Sequence, residues 1–288
     1  MSALGWLAQP SVLPWVVLLF GLCIGSFLNV VIHRLPKMLE REWRAECASL
    51  AGQELPKAEP YNLFVPRSAC PSCGHKITAM QNVPVLSFLI LKGSCSSCKA
   101  KIGLKYPLVE LLAGVTAAYS AWRFGPTLAT LGAALFVWFT IALAFIDQET
   151  GLLPDDLTLP LVWTGLLLNL VGTFVPIQDA VVGAIAGYLS LWLVYWAFKL
   201  LTGKEGMGFG DFKMFAAVGA FLGWKMLPLV ILLSSVVGLA FGAAQMFAAR
   251  GRYEGGFRFH FGPYIAIAGV IALFWGEPML RWYMYRVG

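Results

Sequence analysis

Long apolar runs dominate the chain and constrain its fold more than any other feature. Eight of them are long enough, or nearly so, to cross a bilayer as helices: 12–33, 107–122, 127–146, 157–175, 179–201, 212–223, 226–249 and 262–280. Only 12% of the 288 residues are charged, which is about half the fraction found in soluble domains. The sequence therefore predicts an all-α polytopic membrane protein with about eight transmembrane helices.

The basic residues predict the orientation of these helices. Eleven of the 21 Lys and Arg residues lie in a polar insertion, 34–106, that follows the first apolar run. If this insertion is cytoplasmic and the helices alternate, seventeen basic residues face the cytoplasm and four face the other side. We therefore predict that both termini lie outside the cytoplasm. The net charge of +6 then reflects membrane topology, and no nucleic-acid partner is expected.

This topology divides the chain into three parts. Residues 1–33 form the first transmembrane helix, 34–106 a cytoplasmic domain, and 107–288 a membrane core of about seven helices. Within the insertion, the charged and amphipathic segment 34–60 predicts a surface helix followed by a proline-rich link.

Four cysteines in the insertion form two CxxC pairs with 21 residues between them: Cys70, Cys73, Cys95 and Cys98. The spacing lets both thiolates of each pair bind one ion, and four thiolates favour tetrahedral Zn²⁺ over Fe. Two disulfides are the alternative, which a reducing cytoplasm disfavours. Because four cysteines leave no open coordination position, we predict a structural zinc ion that folds a small domain.

Two acidic residues stand at ends of apolar runs that the topology places on the same side of the membrane. Asp147 follows twenty uncharged residues, and Asp211 directly precedes the short sixth run. Singly, Asp147 is typical of an interfacial helix end and Asp211 of a helix N-cap. Together they predict a catalytic pair, because two carboxyl groups sharing a site retain one proton and can act as general base and general acid. None of the three histidines has a convincing partner.

Three glycines precede the second of these acids in "GMGFGDFK" (206–213). We predict that Gly206, Gly208 and Gly210 leave backbone N–H and C=O groups free to pair with an extended substrate. Irregular backbone at membrane depth is tolerated only beside protein or a wet cavity, and hydrolysis needs that water. Lys213 is predicted to be an interfacial charge beside the site, with tuning of the Asp211 pKa as the alternative.

These segments together resemble a known family. "GMGFGD" resembles the GxGD motif of membrane-embedded aspartyl proteases. The paired CxxC motifs are similar to those of the bacterial type IV prepilin peptidases, as are "GSFLNVVIHRLP" (25–36), "YPLVEL" (106–111), "IDQETGLLPD" (146–155) and "FGPYIA" (261–266). The likeness extends over essentially the whole chain, in the expected order.

The resemblance implies a bifunctional enzyme of the bacterial inner membrane. Such an enzyme removes the leader peptide of type IV prepilins and of type II secretion pseudopilins at the cytoplasmic face. It then N-methylates the new N-terminal residue, with S-adenosylmethionine as methyl donor. By motif, the catalytic pair falls on Asp147 and Asp211, and the zinc ligands fall on the four cysteines.

The methyltransferase activity has weaker support from individual residues. No GxGxxG follows a strand, so a Rossmann-type cofactor site is not expected. The family's link between methylation and the insertion makes Asn29, Arg34 and Glu110 the candidates. Interhelical hydrogen bonds would explain Asn29 and Glu110 equally well.

Two functions from other classes are alternatives. A membrane transporter would use the two aspartates as a proton relay and the zinc domain as a regulator, although both acids are predicted at one interface instead of the bilayer midplane. A structural subunit of a secretion machine would use the cysteine pairs for docking. It would leave the glycine–aspartate motif without a role.

Overall fold

The computed structural model describes residues 9–53, 59–78, 80–248 and 260–287, and its regular structure is helical. Nine α-helices occur in these ranges: α1 (Leu13–Leu50), α2 (Leu86–Ile90), α3 (Lys105–Phe124), α4 (Leu128–Thr150), α5 (Asp155–Leu170), α6 (Ile177–Thr202), α7 (Phe209–Leu222), α8 (Leu227–Ala248) and α9 (Gly262–Val287). Extended pairing in this part of the chain is limited to two isolated β-bridges. The all-α prediction is confirmed for the residues described.

Each predicted apolar run coincides with a helix, but the helices differ in their ability to span a bilayer. Within the described ranges, five segments are long and apolar enough to cross: Leu13–Leu50, Leu128–Thr150, Ile177–Thr202, Trp224–Ala244 and Gly262–Arg286. The helices α3, α5 and α7 have 20, 16 and 14 residues and do not belong to this group. A membrane protein with five candidate spans is thus supported, and the count of about eight stays a prediction.

The first helix is longer than predicted. We expected it to end near residue 33 and a separate surface helix to follow, but α1 continues without a break for 38 residues. It passes through Pro36, which removes one backbone hydrogen bond and is itself buried. The residues beyond it, rich in Leu, Glu, Arg and Ala, favour helix strongly enough to continue it.

Packing divides the chain into two compact units, Met1–Thr130 and Leu131–Gly288. We predicted boundaries at 33/34 and 106/107, which mark where the chain should leave and enter the membrane. The observed division follows helix contacts instead, and it groups α3 with α1. The two criteria describe different properties, so the membrane boundaries remain predictions.

In the first unit, α1 and α3 pack antiparallel through small residues. A Cβ atom added at Gly21 would lie 2.9 Å from the Cα of Gly114, and one added at Gly25 would lie 2.6 Å from the Cα of Glu110. Only glycine permits backbones to approach this closely, and small residues four apart are a common interface between membrane helices. The buried Ala113 lies beside both contacts.

In the second unit, α7 is the central helix and packs against α5, α6 and α9. Eleven of its 14 residues are buried, which explains its apolar composition despite its short length. Gly183 of α6 touches Gly219 so closely that an added Cβ would lie 2.3 Å from the Gly219 carbonyl oxygen. At the far end, buried Asn169 donates hydrogen bonds to the carbonyl oxygens of Ala220 and Phe221, which satisfies acceptors that a helix terminus leaves unpaired.

Candidate active site and metal centre

Asp147 lies in the last turn of α4, where the helix dipole disfavours a negative charge. Its side chain is buried, and its Oδ2 atom accepts a hydrogen bond from the backbone N–H of Gly262 at 3.0 Å. Gly262 is the first residue of α9, so the positive end of that helix faces the carboxyl group. The N-terminus of α9 therefore offsets the unfavourable position of Asp147 on α4.

Asp211 lies in the first turn of α7 and is also buried. Its Oδ2 atom accepts a hydrogen bond from the backbone N–H of Gly208 at 3.2 Å. This contact fixes the side chain against the start of its own helix, as in a helix cap. The other oxygen, Oδ1, is buried without a hydrogen-bond partner in the structure. Burying a carboxyl oxygen without a hydrogen-bond partner costs free energy, so an atom of this kind is a candidate for a functional role.

Both acids lie at the same end of the second unit. Leu153, in the connection between α4 and α5, touches Gly210, which precedes Asp211 in the sequence. It also touches Gly262, which donates a hydrogen bond to Asp147. An added Cβ at Gly210 would lie 2.5 Å from the Cβ of Leu153, and one at Gly262 would lie 3.3 Å from its Cδ2. Asp147 is also close enough to Asp211 for their charges to interact. The fold thus brings together two buried carboxyl groups that are 64 positions apart in the sequence.

The three glycines before Asp211 have different surroundings. Gly210 is confined by Leu153, and an added Cβ at Gly206 would lie 3.0 Å from the ring of Phe198. At Gly208, in contrast, the nearest atom to an added Cβ is 3.9 Å away. Packing alone therefore explains two of the glycines, and their predicted pairing with substrate backbone remains a hypothesis.

Lys213 forms an ion pair with Asp155, the first residue of α5, with Nζ at 2.5 and 2.8 Å from the two carboxyl oxygens. We predicted Lys213 to be an interfacial charge beside the site. The pair links the beginning of α7 to the beginning of α5. It is partly exposed, so its net contribution to stability is about 0–1 kcal/mol.

His260 is a neighbour that the sequence did not reveal. An added Cβ at Gly151 would lie 3.4 Å from its Nε2 atom, and its ring lies near Asp147. From the sequence we found no partner for His260, and the structure places this residue near Asp147. It stands 113 positions from Asp147, and only the tertiary fold brings the two together.

The four cysteines of the insertion cluster in the first unit. All four Sγ atoms lie within 4.8 Å of one another. The two loops have the same form, because the N–H of Gly74 bonds to the carbonyl of Cys70 and the N–H of Lys99 bonds to the carbonyl of Cys95. Both Gly74 and Lys99 have positive φ angles of 70° and 60°. The sequence prediction that these cysteines converge on one point is confirmed.

The loop backbones favour the thiolate form of Cys70 and Cys95. Hydrogen bonds from the backbone of Ser72 and Cys73 lower the pKa of Cys70 to about 6. Those from the backbone of Cys98 and Ser97 lower the pKa of Cys95. At Cys98 a backbone hydrogen bond from Ala100 acts in the same direction, but the hydrogen bond with the Cys73 thiol and burial raise the pKa to about 11. Thiolates are the form that binds metal ions, so the donor set suits a soft divalent cation.

Comparison with known proteins gives full-length relatives. Residues 19–124 match the model of the bacterial peptidase A24 N-terminal domain, and 134–243 match that of the type IV leader peptidase family. A "Prepilin leader peptidase/N-methyltransferase" of Aeromonas salmonicida (strain A449) is 57% identical over 282 residues, covering 96% of each chain. One with the same name from Pseudomonas aeruginosa PAO1 is 51% identical, covering 100% of this chain and 99% of the relative. The chain belongs to the type IV leader peptidase family.

The two matched regions contain different candidate site residues. The N-terminal match contains the four cysteines and the methyltransferase candidates, and the second match contains both aspartates. Gly262, which donates a hydrogen bond to Asp147, and His260 are beyond the end of the second match. No solved structure gives a significant match.

The three methyltransferase candidates all lie in the first unit and make contacts within it. Arg34 is buried and donates hydrogen bonds to the carbonyl oxygens of Asn62 and Pro66. The Oε2 atom of Glu110 accepts a hydrogen bond from the backbone N–H of Val85 at 2.7 Å. Structural contacts therefore account for Arg34 and Glu110.

Asn29 differs from them in having an unused polar atom. Its Nδ2 atom donates to the carbonyl of Tyr106 at 3.0 Å, which is the interhelical hydrogen bond that we weighed as an alternative. Its Oδ1 atom is buried and has no partner in the structure. Of the three candidates, Asn29 is thus the one that still offers a buried hydrogen-bond acceptor.

Proposed function

We propose that the chain is a membrane aspartic endopeptidase that removes the leader peptides of type IV prepilins and type II secretion pseudopilins, and that it N-methylates the residue thereby exposed. The observation that carries the proposal is the pair of buried carboxyl groups, Asp147 and Asp211, at one end of one compact unit. Each accepts one backbone hydrogen bond, and Asp211 retains a free oxygen. The names of the full-length relatives contain both activities.

Peptide hydrolysis by such a pair requires one ionised and one protonated carboxyl group. The ionised group takes a proton from a water molecule, whose oxygen attacks the scissile carbonyl carbon, while the protonated group donates a hydrogen bond to the carbonyl oxygen. Backbone N–H groups of Gly262 and Gly208 hold one oxygen of each acid. The remaining oxygens, including Oδ1 of Asp211, are the atoms that would face water and substrate.

The transporter hypothesis is not supported. The matching family model and the relatives' names describe peptidases and methyltransferases. In the structure, Asp147 and Asp211 stand at helix ends, and Asp211 is held by its own helix start. This position suits an interfacial reaction better than a proton path through the bilayer midplane.

For methylation, we propose that the first unit binds S-adenosylmethionine, which supplies an electrophilic methyl group. Asn29 is the candidate that fits best, because its buried Oδ1 atom can accept a hydrogen bond from a ligand donor. Arg34 and Glu110 would act through the loops that they hold, since their side chains already bond to the backbone of residues 62, 66 and 85.

We further propose that the four cysteines hold one structural zinc ion. Four thiolates complete a tetrahedral shell, and the ion would join two loops that bury little apolar surface of their own. We expect the native mass of the purified protein to include one zinc ion. Changing Cys70 and Cys73 to Ser should remove it, since two ligands cannot hold the metal at ordinary affinity. The variant pair Cys23→Ser and Cys47→Ser is the control and should retain the ion.

For the topology, we propose about eight transmembrane helices in a bacterial inner membrane, with 34–106 in the cytoplasm and both termini on the opposite side. The distribution of Lys and Arg supports this orientation. The helices α5 and α7 would extend about 24 and 21 Å at 1.5 Å per residue. Because α7 is enclosed by other helices, it needs no full match to the bilayer thickness.

The function is tested by incubating the purified chain with a synthetic prepilin and methyl-labelled S-adenosylmethionine. We expect the leader to be released and the label to appear on the new N-terminal residue. A second reaction with a pilin peptide that already lacks the leader should take up label without any cleavage. Absence of leader release under conditions that support label transfer would contradict the peptidase assignment, and the reverse result would contradict the methyltransferase assignment.

A further inference from the structure

The short helix α2 exposes an apolar face. Leu86, Leu89 and Ile90 have exposed fractions of 53%, 65% and 70%, and their spacing of three and four residues places them on one side of the helix. Val83, just before α2, is also exposed. Other apolar side chains of the insertion, such as Phe64 and Leu104, are exposed as well, but the three of α2 share one helix face. A continuous apolar face of this kind indicates a surface that an apolar partner or lipid covers.

The position of α2 relative to the apolar parts of α1 and α3 indicates what covers this face. The N–H of Val85, the residue before α2, donates to Oε2 of Glu110 on α3. The backbone of Glu110 lies against Gly25 of α1. Gly25 is nine residues from Arg34, which corresponds to about 13 Å along the helix axis. Gly25 thus belongs to the apolar part of α1, well below its first charged residue.

On α3, Glu110 lies about 7 Å along the helix from Lys105, where the charged part of the chain ends. Side chains on a helix lean toward its N-terminus, so the Glu110 carboxylate reaches back toward Lys105. The start of α2 is therefore at the boundary between the charged and the apolar zones of α1 and α3. That level corresponds to the interface between headgroups and acyl chains.

The hydrogen bond from Val85 to Glu110 has a physical reason if the start of α2 lies near lipid. Val85 has a φ angle of 59°, which is unfavourable for a β-branched residue. Backbone N–H groups near lipid are costly when unpaired, and Glu110 pairs the one at the beginning of α2. The carboxylate therefore holds a strained turn at the start of α2.

The charged residues that follow α2 in the sequence are all positive until Glu110 is reached. Lys92 lies two residues after the helix, and Lys101 pairs with Ser94 through an isolated β-bridge. No acidic residue occurs between Glu59 and Glu110. Basic residues next to an exposed apolar face are typical of elements that lie on anionic bilayers.

We propose that α2 lies in the bilayer interface, with Leu86, Leu89 and Ile90 among the acyl chains and the neighbouring lysines at anionic headgroups. The exposed face contacts lipid, because α2 begins at the boundary between the charged and apolar zones of α1 and α3 and is followed by lysines. The second cysteine pair begins five residues after Ile90, and the N–H of Ile102 bonds to the carbonyl of Gly93. This tight connection fixes the height of the four-cysteine domain above the membrane.

The proposal is tested with the full chain in bilayer nanodiscs of phosphatidylethanolamine and phosphatidylglycerol. The photoreactive residue p-benzoylphenylalanine is placed at Leu89 or Ile90, and at Leu50 as the control. Leu50 is 90% exposed and ends α1, about 24 Å beyond Arg34. After irradiation, mass spectrometry counts lipid adducts on each chain, and the melting temperature of each labelled chain shows that it is folded.

We expect lipid adducts at positions 89 and 90 to exceed those at position 50 by at least about tenfold, since acyl chains should contact only the former. Equal yields at the three positions would overturn the proposal. A second arm adds a prepilin peptide to the nanodiscs. If the label at position 89 then reacts with the peptide in place of lipid, the face is a protein-binding groove and the lipid assignment fails.

Discussion

Changing either member of the buried acid pair to asparagine is expected to abolish leader cleavage. Asp147→Asn and Asp211→Asn keep the size of the side chain but remove the group that takes or gives a proton. General acid–base groups contribute 10²–10⁴-fold each, so we expect each variant to lose about 10³-fold or more in cleavage rate. Because the two act as a unit, the double variant should be little worse than either single one. Cleavage of a synthetic prepilin in detergent measures this.

Two controls separate chemistry from folding. Asp156→Asn, at an exposed position in the first turn of α5, should keep cleavage within about threefold, as surface changes usually do. The melting temperatures of the two active-site variants should be unchanged or higher, because an amide costs less to bury than a carboxylate. Methylation of a pilin that lacks its leader should persist in both. Intact cleavage by either Asp147→Asn or Asp211→Asn would exclude the acid pair as the catalytic group.

Much of this arrangement follows from sequence because its signals are local. Helices long enough to cross a bilayer are recognised by their apolar composition, and the spacing of two CxxC pairs predicts a cysteine cluster. The acid pair could also be predicted, since the distribution of Lys and Arg predicts that both residues lie on one side of the membrane. Each of these inferences needs only neighbouring residues or a rule that acts on the whole chain.

Contacts between distant segments could not be predicted in the same way. Nothing near Asp147 in the sequence indicates that Gly262 donates to it or that His260 lies beside it. The continuation of α1 through Pro36 was also missed, because the local penalty of proline is outweighed by the strong helix formers around it. These features depend on how helices meet, and a single sequence carries little information about that.

The glycines show how a correct pattern can have more than one cause. We predicted that Gly206, Gly208 and Gly210 expose backbone to substrate. In the structure Gly210 faces Leu153 and Gly206 faces Phe198, and both contacts exclude a side chain without any substrate. Gly208 alone has open space around its Cα atom. Sequence reasoning recognised that glycine was needed there, but it could not distinguish packing from binding.

Gly262→Ala is expected to cause the second-largest loss of cleavage. The added Cβ would lie 2.6 Å from Oδ2 of Asp147 and 3.2 Å from its Cγ, so the carboxyl group must move. A displacement of about 1 Å at a catalytic group can cost 10²-fold in rate, and we expect a loss of that size in kcat. The flexible carboxyl end can yield, so the fold should persist, and methylation of a pilin that lacks its leader should be unaffected.

Gly208→Ala is the matched control, and it also distinguishes the two roles of glycine. An added Cβ there has no atom closer than 3.9 Å, the φ angle of −88° suits alanine, and the N–H that holds Asp211 is kept. If packing alone required the glycines, this variant should cleave within about threefold of the parent chain, because an exposed substitution that displaces no atom usually changes stability by no more than about 0.5 kcal/mol. A large loss with normal melting would instead show that the open position receives substrate backbone. Full activity of Gly262→Ala would mean that the α9 terminus does not position Asp147, and the acid would then owe its orientation to α4 alone.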